Sequence, residues 1–262
     1  AKADTFVADT FVADTFVADT AKADTFVADT FVADTFVADT AKADTFVADT
    51  FVADTGAPYR HTIAIDGAND FVAASEKLST TTASYDAYVA WDAGNLYIGY
   101  FGGDVGGSSS TRWLFVYVDT DPGAGTGATL SEKYNSQQHQ FASGFGAEHY
   151  YAWRTDGLFP QQKSYAGGAW SSAAATVTAN RSGDYVELRI PFSTFGVAPT
   201  RLGVTTFFVN EASGGEWTYA GLYNTSFVDG YSPASTPKTV GNYLRLDLSS
   251  SAVPNSGTYK AP

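Results

Sequence analysis

The 262-residue chain contains no cysteine and no methionine. That removes disulfides, a thiol nucleophile and every thiolate metal ligand. Cationic residues are scarce: 15 Lys and Arg stand against 28 Asp and Glu, a formal charge of −13. They form no cluster able to neutralise phosphates, which points away from nucleic acid and from an anionic membrane surface. No apolar run approaches the roughly 18 residues of a membrane span. There are three histidines, His61, His139 and His149. No G-x-S-x-G elbow, H-E-x-x-H helix or phosphate-cradling glycine loop accompanies them. No secretion signal is read, and the chain begins inside a repeat; the expectation is a processed form or a fragment.

What is present divides at Gly56. Residues 1–55 are tandem pentapeptides written FVADT or AKADT. A period of five turns successive Phe residues around a helix and to opposite faces of a strand, so neither gives one apolar side. A four-sided solenoid would place Lys2, Lys22 and Lys42 along one edge. Centring its interior on Phe6, however, buries the carboxylate of Asp4, which is expensive. The expectation is a disordered acidic tether over 1–56, with the solenoid as the alternative, joined to a folded domain over 57–262.

The second part reads as strands. Segment 85–92 alternates, Gly94-Asn95 supplies a turn, and 96–101 follows. WLFVYV at 113–118 is apolar on both faces and reads as a central strand. In 185–190, Val186, Leu188 and Ile190 are assigned inward and Tyr185, Glu187 and Arg189 outward. Segments 205–210, 216–223 and 243–248 continue the series. Turn dipeptides such as Asp156-Gly157, Gly167-Gly168 and Ser182-Gly183 punctuate it. No segment carries a sustained 3.6-residue period. The fold class is all-β, an antiparallel β-sandwich of jelly-roll or immunoglobulin-like type, with about ten strands.

The order of IDGAND (65–70), AYVAWDAGNLYIGYFGGD (87–104), LFVYVDTDPGAG (114–125), YVELRIPFSTFG (185–196) and NYLRLDL (242–248) resembles carbohydrate-binding module family 9. These are DOMON-like sandwiches of exported bacterial proteins. The resemblance implies an extracellular or cell-surface location and a sugar held between two aromatic rings. The loop equivalent to one ring's position, GGSSST at 106–111, has no aromatic residue. Tyr231, in VDGYSPAS, falls near the other. The resemblance also raises haem, but with no methionine, and histidines outside the strong strands, it finds no axial ligand here.

Other candidates come from the residues themselves. The polar stretch 122–148 is too long for a hairpin and carries Tyr134, Gln137, Gln138, His139, Gln140, Phe141 and Phe145. It is either a binding loop or a lid packing its aromatics on the sandwich. Trp153 and Trp170 flank turns and are ligand candidates, whereas Trp91 and Trp113 read as core and Trp217 as packed in the sheet. The ligand set is therefore Tyr134, Trp153, Trp170 and Tyr231. Asp119 and Asp121, two apart where a strand breaks into a glycine turn, suit structural calcium; the alternative is a turn in which Asp caps backbone N–H groups. The functional expectation is a non-catalytic carbohydrate-binding or adhesion module whose partner is a glycan or polysaccharide. A protein-interaction domain of the cell envelope is the alternative, and a secreted hydrolase a second.

Overall fold

The computed structural model describes residues 56–196 and 198–262. The repeat tract, expected to be a tether or a solenoid, lies outside the described residues. Two antiparallel sheets face each other. The first has the order β1 (Lys77–Ser79), β2 (Asp86–Trp91), β3 (Asn95–Phe101), β10 (Tyr185–Pro191), β9 (Thr178–Ser182). The second runs β15 (Lys260–Ala261), β14 (Tyr243–Asp247), β11 (Arg201–Asn210), β4 (Arg112–Asp119), β6 (His149–Arg154), β7 (Gln161–Ala166), β8 (Ala169–Ala173). Its eighth strand, β12 (Trp217–Tyr219), pairs with β11. The remaining strands, β5 (His139–Phe141) and β13 (Lys238–Val240), pair in parallel on their own. Among the described residues, helix is confined to single turns, α1 (Ala73–Glu76) and α2 (Gly103–Gly106), and two short 3-10 segments.

The period of two in β2, β3 and β10 builds the space between the sheets. Val89, Trp91, Leu96, Ile98, Val186 and Leu188 meet Leu114, Val116, Val204, Phe208 and Leu244 there, all buried. Each fully buried side chain of this size contributes about 1.5–3 kcal/mol. β4 lies between β11 and β6, which explains its apolar residues on both faces. Its other face carries Trp113, Phe115 and Tyr117. Stretch 122–148 covers that face: Phe141 and Phe145 are buried against it with Tyr150, Phe207 and Tyr243. The long segment is thus a lid, and its aromatics are used in packing.

The outer face of the five-stranded sheet is covered too, by the strap 56–72. Ile63 and Phe71 are buried with Tyr88, Ala90, Tyr97 and Tyr185. Gly99 makes the close approach possible, since a Cβ there would stand 2.8 Å from the Phe71 ring. Tyr185 and Glu187 take the outward side of β10, as their alternation assigns, but this cover buries both instead of leaving them in solvent. Glu187 is fully buried and accepts a hydrogen bond from the Gly67 N–H at 2.6 Å. The strap is laced down by Tyr59 N–H to the Ser250 carbonyl (2.9 Å) and His61 N–H to the Trp91 carbonyl (2.8 Å). Among the described residues, no helix is long and apolar enough to cross a membrane.

Candidate functional site

Where α2, the start of β4, the end of β11 and β12 come together, a pocket of roughly 390 Å³ opens. Its floor is Tyr85 and Tyr219, whose rings pack edge to face at 5.6 Å above Phe208. Burial, reinforced by hydrogen bonding to Asp104, pushes both phenols well above their ordinary range, so both stay protonated. Asp104 organises one wall. Its Oδ1 pairs with Arg112 Nη1 at 2.6 Å, and its Oδ2 accepts from the Tyr219 hydroxyl at 2.8 Å. Its own N–H donates to the Tyr85 hydroxyl at 3.1 Å. Opposite, Asp229 Oδ2 accepts from the Thr82 hydroxyl (2.6 Å), which in turn accepts from the Ala220 N–H (2.8 Å). Asn210 is fixed by its side-chain N–H to the Gly215 carbonyl at 2.9 Å.

Trp217 stands at the rim of this polar pocket and is 49% exposed. The sequence pattern assigns it to packing in the sheet, but it opens the three-residue strand β12, whose other two residues are buried. The bridge between Thr218 and Gly230 puts Tyr231 at the register position opposite Trp217, and Tyr231 is 42% exposed. Residues opposite one another in an antiparallel pair share a face. The pocket rim therefore carries the open face of Trp217 beside a guanidinium, two carboxylates and an amide. An aromatic face takes up C–H surface, and these polar groups match hydroxyls.

None of the four aromatic ligand candidates lines this pocket; Tyr231 lies in register opposite Trp217, outside the lining. Tyr134 is half-buried, its ring 5.4 Å from both Trp113 and Phe115. Trp170 is half-buried against Tyr165 (5.2 Å) and Tyr117 (6.0 Å), on the outer face of the larger sheet. Trp153 is 5% exposed and belongs to the core between the sheets; it borders a separate recess of roughly 250 Å³ with Asp156 and Arg181. A ring enclosed in this way cannot serve as a stacking surface. Reading along the chain missed Trp217, Asp104, Arg112, Asn210 and Asp229. Their common signal is position at strand ends and turns, which many other polar residues share.

The paired aspartates lie elsewhere. Asp119, Asp121 and a third carboxylate, Glu148, place one oxygen each within 4.8 Å of one another. Asp119 is buried; Oδ1 accepts from the Asp121 N–H (2.9 Å) and Oδ2 from the Gly146 N–H (2.8 Å). Burial pushes its carboxyl up to about 7 against the pull of these two donors. Burial raises Glu148 as well. Among the described residues, no Lys, Arg or His forms an ion pair with any of the three. Glu148 accepts from the Thr120 N–H at 2.9 Å.

No protein-family model and no curated protein matches the chain. Among solved structures, it is similar to a carbohydrate binding module family 9 from Caldicellulosiruptor kristjanssonii in complex with glucose, at 16% identity and a TM-score of 0.38, over 64% of this chain and 85% of that one. It is likewise similar to that organism's family 9 module in complex with cellotriose, at 16% identity and a TM-score of 0.37, over 63% and 83%.

Proposed function

We propose that the chain is a non-catalytic carbohydrate-binding or adhesion module, displayed outside the cell on the tract 1–55, and that the pocket under Trp217 holds the sugar. The observation carrying this reading is the half-exposed Trp217 at the rim of a pocket walled by Asp104, Arg112, Asn210 and Asp229. The non-catalytic reading is supported by how Asp104 is used: its two oxygens are tied to Arg112 and Tyr219. The test is binding of the purified chain to a panel of soluble glycans and insoluble polysaccharides. Trp217→Ala should weaken binding at least tenfold, about 1.4 kcal/mol, and Tyr231→Ala less. Neither should move the melting temperature much, because both rings are half exposed. Undiminished binding by Trp217→Ala would remove the pocket from the proposal.

The rival reading is a protein-interaction domain of the envelope. It is favoured by the loop 106–111, which carries no aromatic residue. Silence across all glycans with co-purification of one protein partner would select it. Product release from a chromogenic glycoside panel would instead select a hydrolase.

Calcium is the second part of the proposal. It takes six to eight oxygen ligands, and three carboxylates offer up to six. Asp119, Asp121 and Glu148 would hold it, and the cation would offset the burial that raises Asp119 together with the smaller repulsion from Glu148 and Asp121. At a roughly hundredfold excess of calcium over Kd, the melting temperature should rise by roughly 5 °C or more relative to chelator. Asp119→Asn with Glu148→Gln should abolish the increment. An unchanged melting temperature for the natural chain would dismiss calcium.

A further inference from the structure

Four strands end the two sheets: β1 and β9 the smaller, β15 and β8 the larger. An edge strand offers unpaired N–H and C=O groups to any chain that approaches, and natural proteins guard such edges with charge, proline or bulges. Three of these four edges carry a cation: Lys77 in β1, Arg181 in β9 and Lys260 in β15. The fourth, β8, reads AWSSA and carries none. The whole run 164–180, between Lys163 and Arg181, has no charged residue and no proline. β8 keeps an unbroken one-to-one register with β7, from Gln162 opposite Ala173 to Ala166 opposite Ala169, so no bulge twists it away. Four of its five residues are exposed. Among the described residues, no backbone hydrogen bond reaches it beyond its ladder with β7.

We infer that β8 is a self-pairing edge, on which a second copy of this chain lays its own β8 antiparallel across a two-fold axis, joining the two larger sheets into one. Charge selects the second copy as the occupant. The chain carries −13 overall, −8 of it in residues 1–55 and −5 in residues 56–262, so two copies repel wherever their surfaces carry that charge. The uncharged run 164–180 is where they meet without that penalty. A two-fold interface must also be self-complementary. Antiparallel pairing centred on Ser171 sets Ser171 opposite its own copy, Ala169 opposite Ala173 and Trp170 opposite Ser172, and the Trp170 ring already packs against Tyr165 and Tyr117 of its own sheet. This inference is independent of what the Trp217 pocket binds.

The test is the mass of the full chain in solution by sedimentation equilibrium over a concentration series. The natural chain should form a dimer. Ser171→Lys and Ala173→Lys, which install the guard the other edges have, should each weaken dimerisation at least tenfold. Ser171→Thr, neutral and strand-favouring, should retain it. Circular dichroism melts identify any variant that fails to fold. Amide exchange of the natural chain supplies a second readout: residues 169–173 should gain protection as concentration rises. A monomer at every concentration, a dimer that withstands both lysine variants, or exchange at 169–173 that ignores concentration would overturn the inference.

Discussion

At the scale of single residues, His139 shows how burial converts a polar side chain into a pH liability. It is 2% exposed, its ring lies 4.4 Å from that of Phe207, and Nε2 meets the Thr218 hydroxyl at 2.9 Å. Burial, with Lys238 adding to it, pushes its pKa from 6.5 down to about 3. The unfolded chain therefore takes up a proton between those values that the folded chain refuses. The stability His139 supports is present above about 6.5 and is lost as pH falls toward 3, at up to about 1.4 kcal/mol per pH unit. His149, pushed down to about 4 by burial, acts in the same direction. His139→Gln should flatten the loss of denaturant midpoint between pH 6 and pH 4; an acid limb as steep as that of the natural chain would count against this account. Residue-level reading of the sequence succeeded where alternation alone decides burial, as for Trp91 and Val89. It failed where a distant segment decides. Glu187 alternates outward but lies under the strap, and Glu148 joins Asp119 and Asp121 from across the lid. Trp217 and Tyr219 share one parity in β12, yet one is open and the other buried, because only one has chain packed over it.

At the scale of elements, the strands were legible because each carries its own two-residue period and its own turn. β2, β3, β4, β10, β11 and β14 fall where the pattern puts them. Segment 216–223 was read as one strand, but β12 stops at Tyr219 and Ala220 takes a positive φ of 50°. That break was invisible because the apolar alternation runs on through it. The turn between β3 and α2 sets the opposite side of the pocket, and it depends on one small residue. A Cβ on Gly102 would lie 2.2 Å from the Tyr85 ring, which is held between Phe208 and Tyr219 and cannot retreat. Gly102→Ala should cost about 1–3 kcal/mol by overpacking. Because Tyr85 receives the Asp104 N–H, it should also weaken ligand binding. A variant with unaltered denaturant midpoint and affinity would show that the turn has slack the packing does not suggest.

At the scale of the whole molecule, the sandwich class followed from the number and spacing of strands, while the two outer layers did not. Neither the strap nor the lid has a period of its own; each is defined by the sheet face it covers. The proposal that 1–55 is a tether makes a separate prediction. A chain lacking those residues should melt at the same temperature as the full chain and bind the same glycans. A marked loss of stability on removal would favour the solenoid and a shared fold.

The strap also determines how the domain would bear load. A force arriving at Gly56 reaches Tyr59 and His61 first, and their bonds to Ser250 and Trp91 lie between the point of pulling and the sheets. Ile63 and Phe71 form the next barrier, seated on the outer face of the smaller sheet. The pocket under Trp217 draws no residue from the strap. Drag on a particle held at its N-terminus would therefore be spent peeling a covering layer, while the grip on whatever lies in the pocket stays intact.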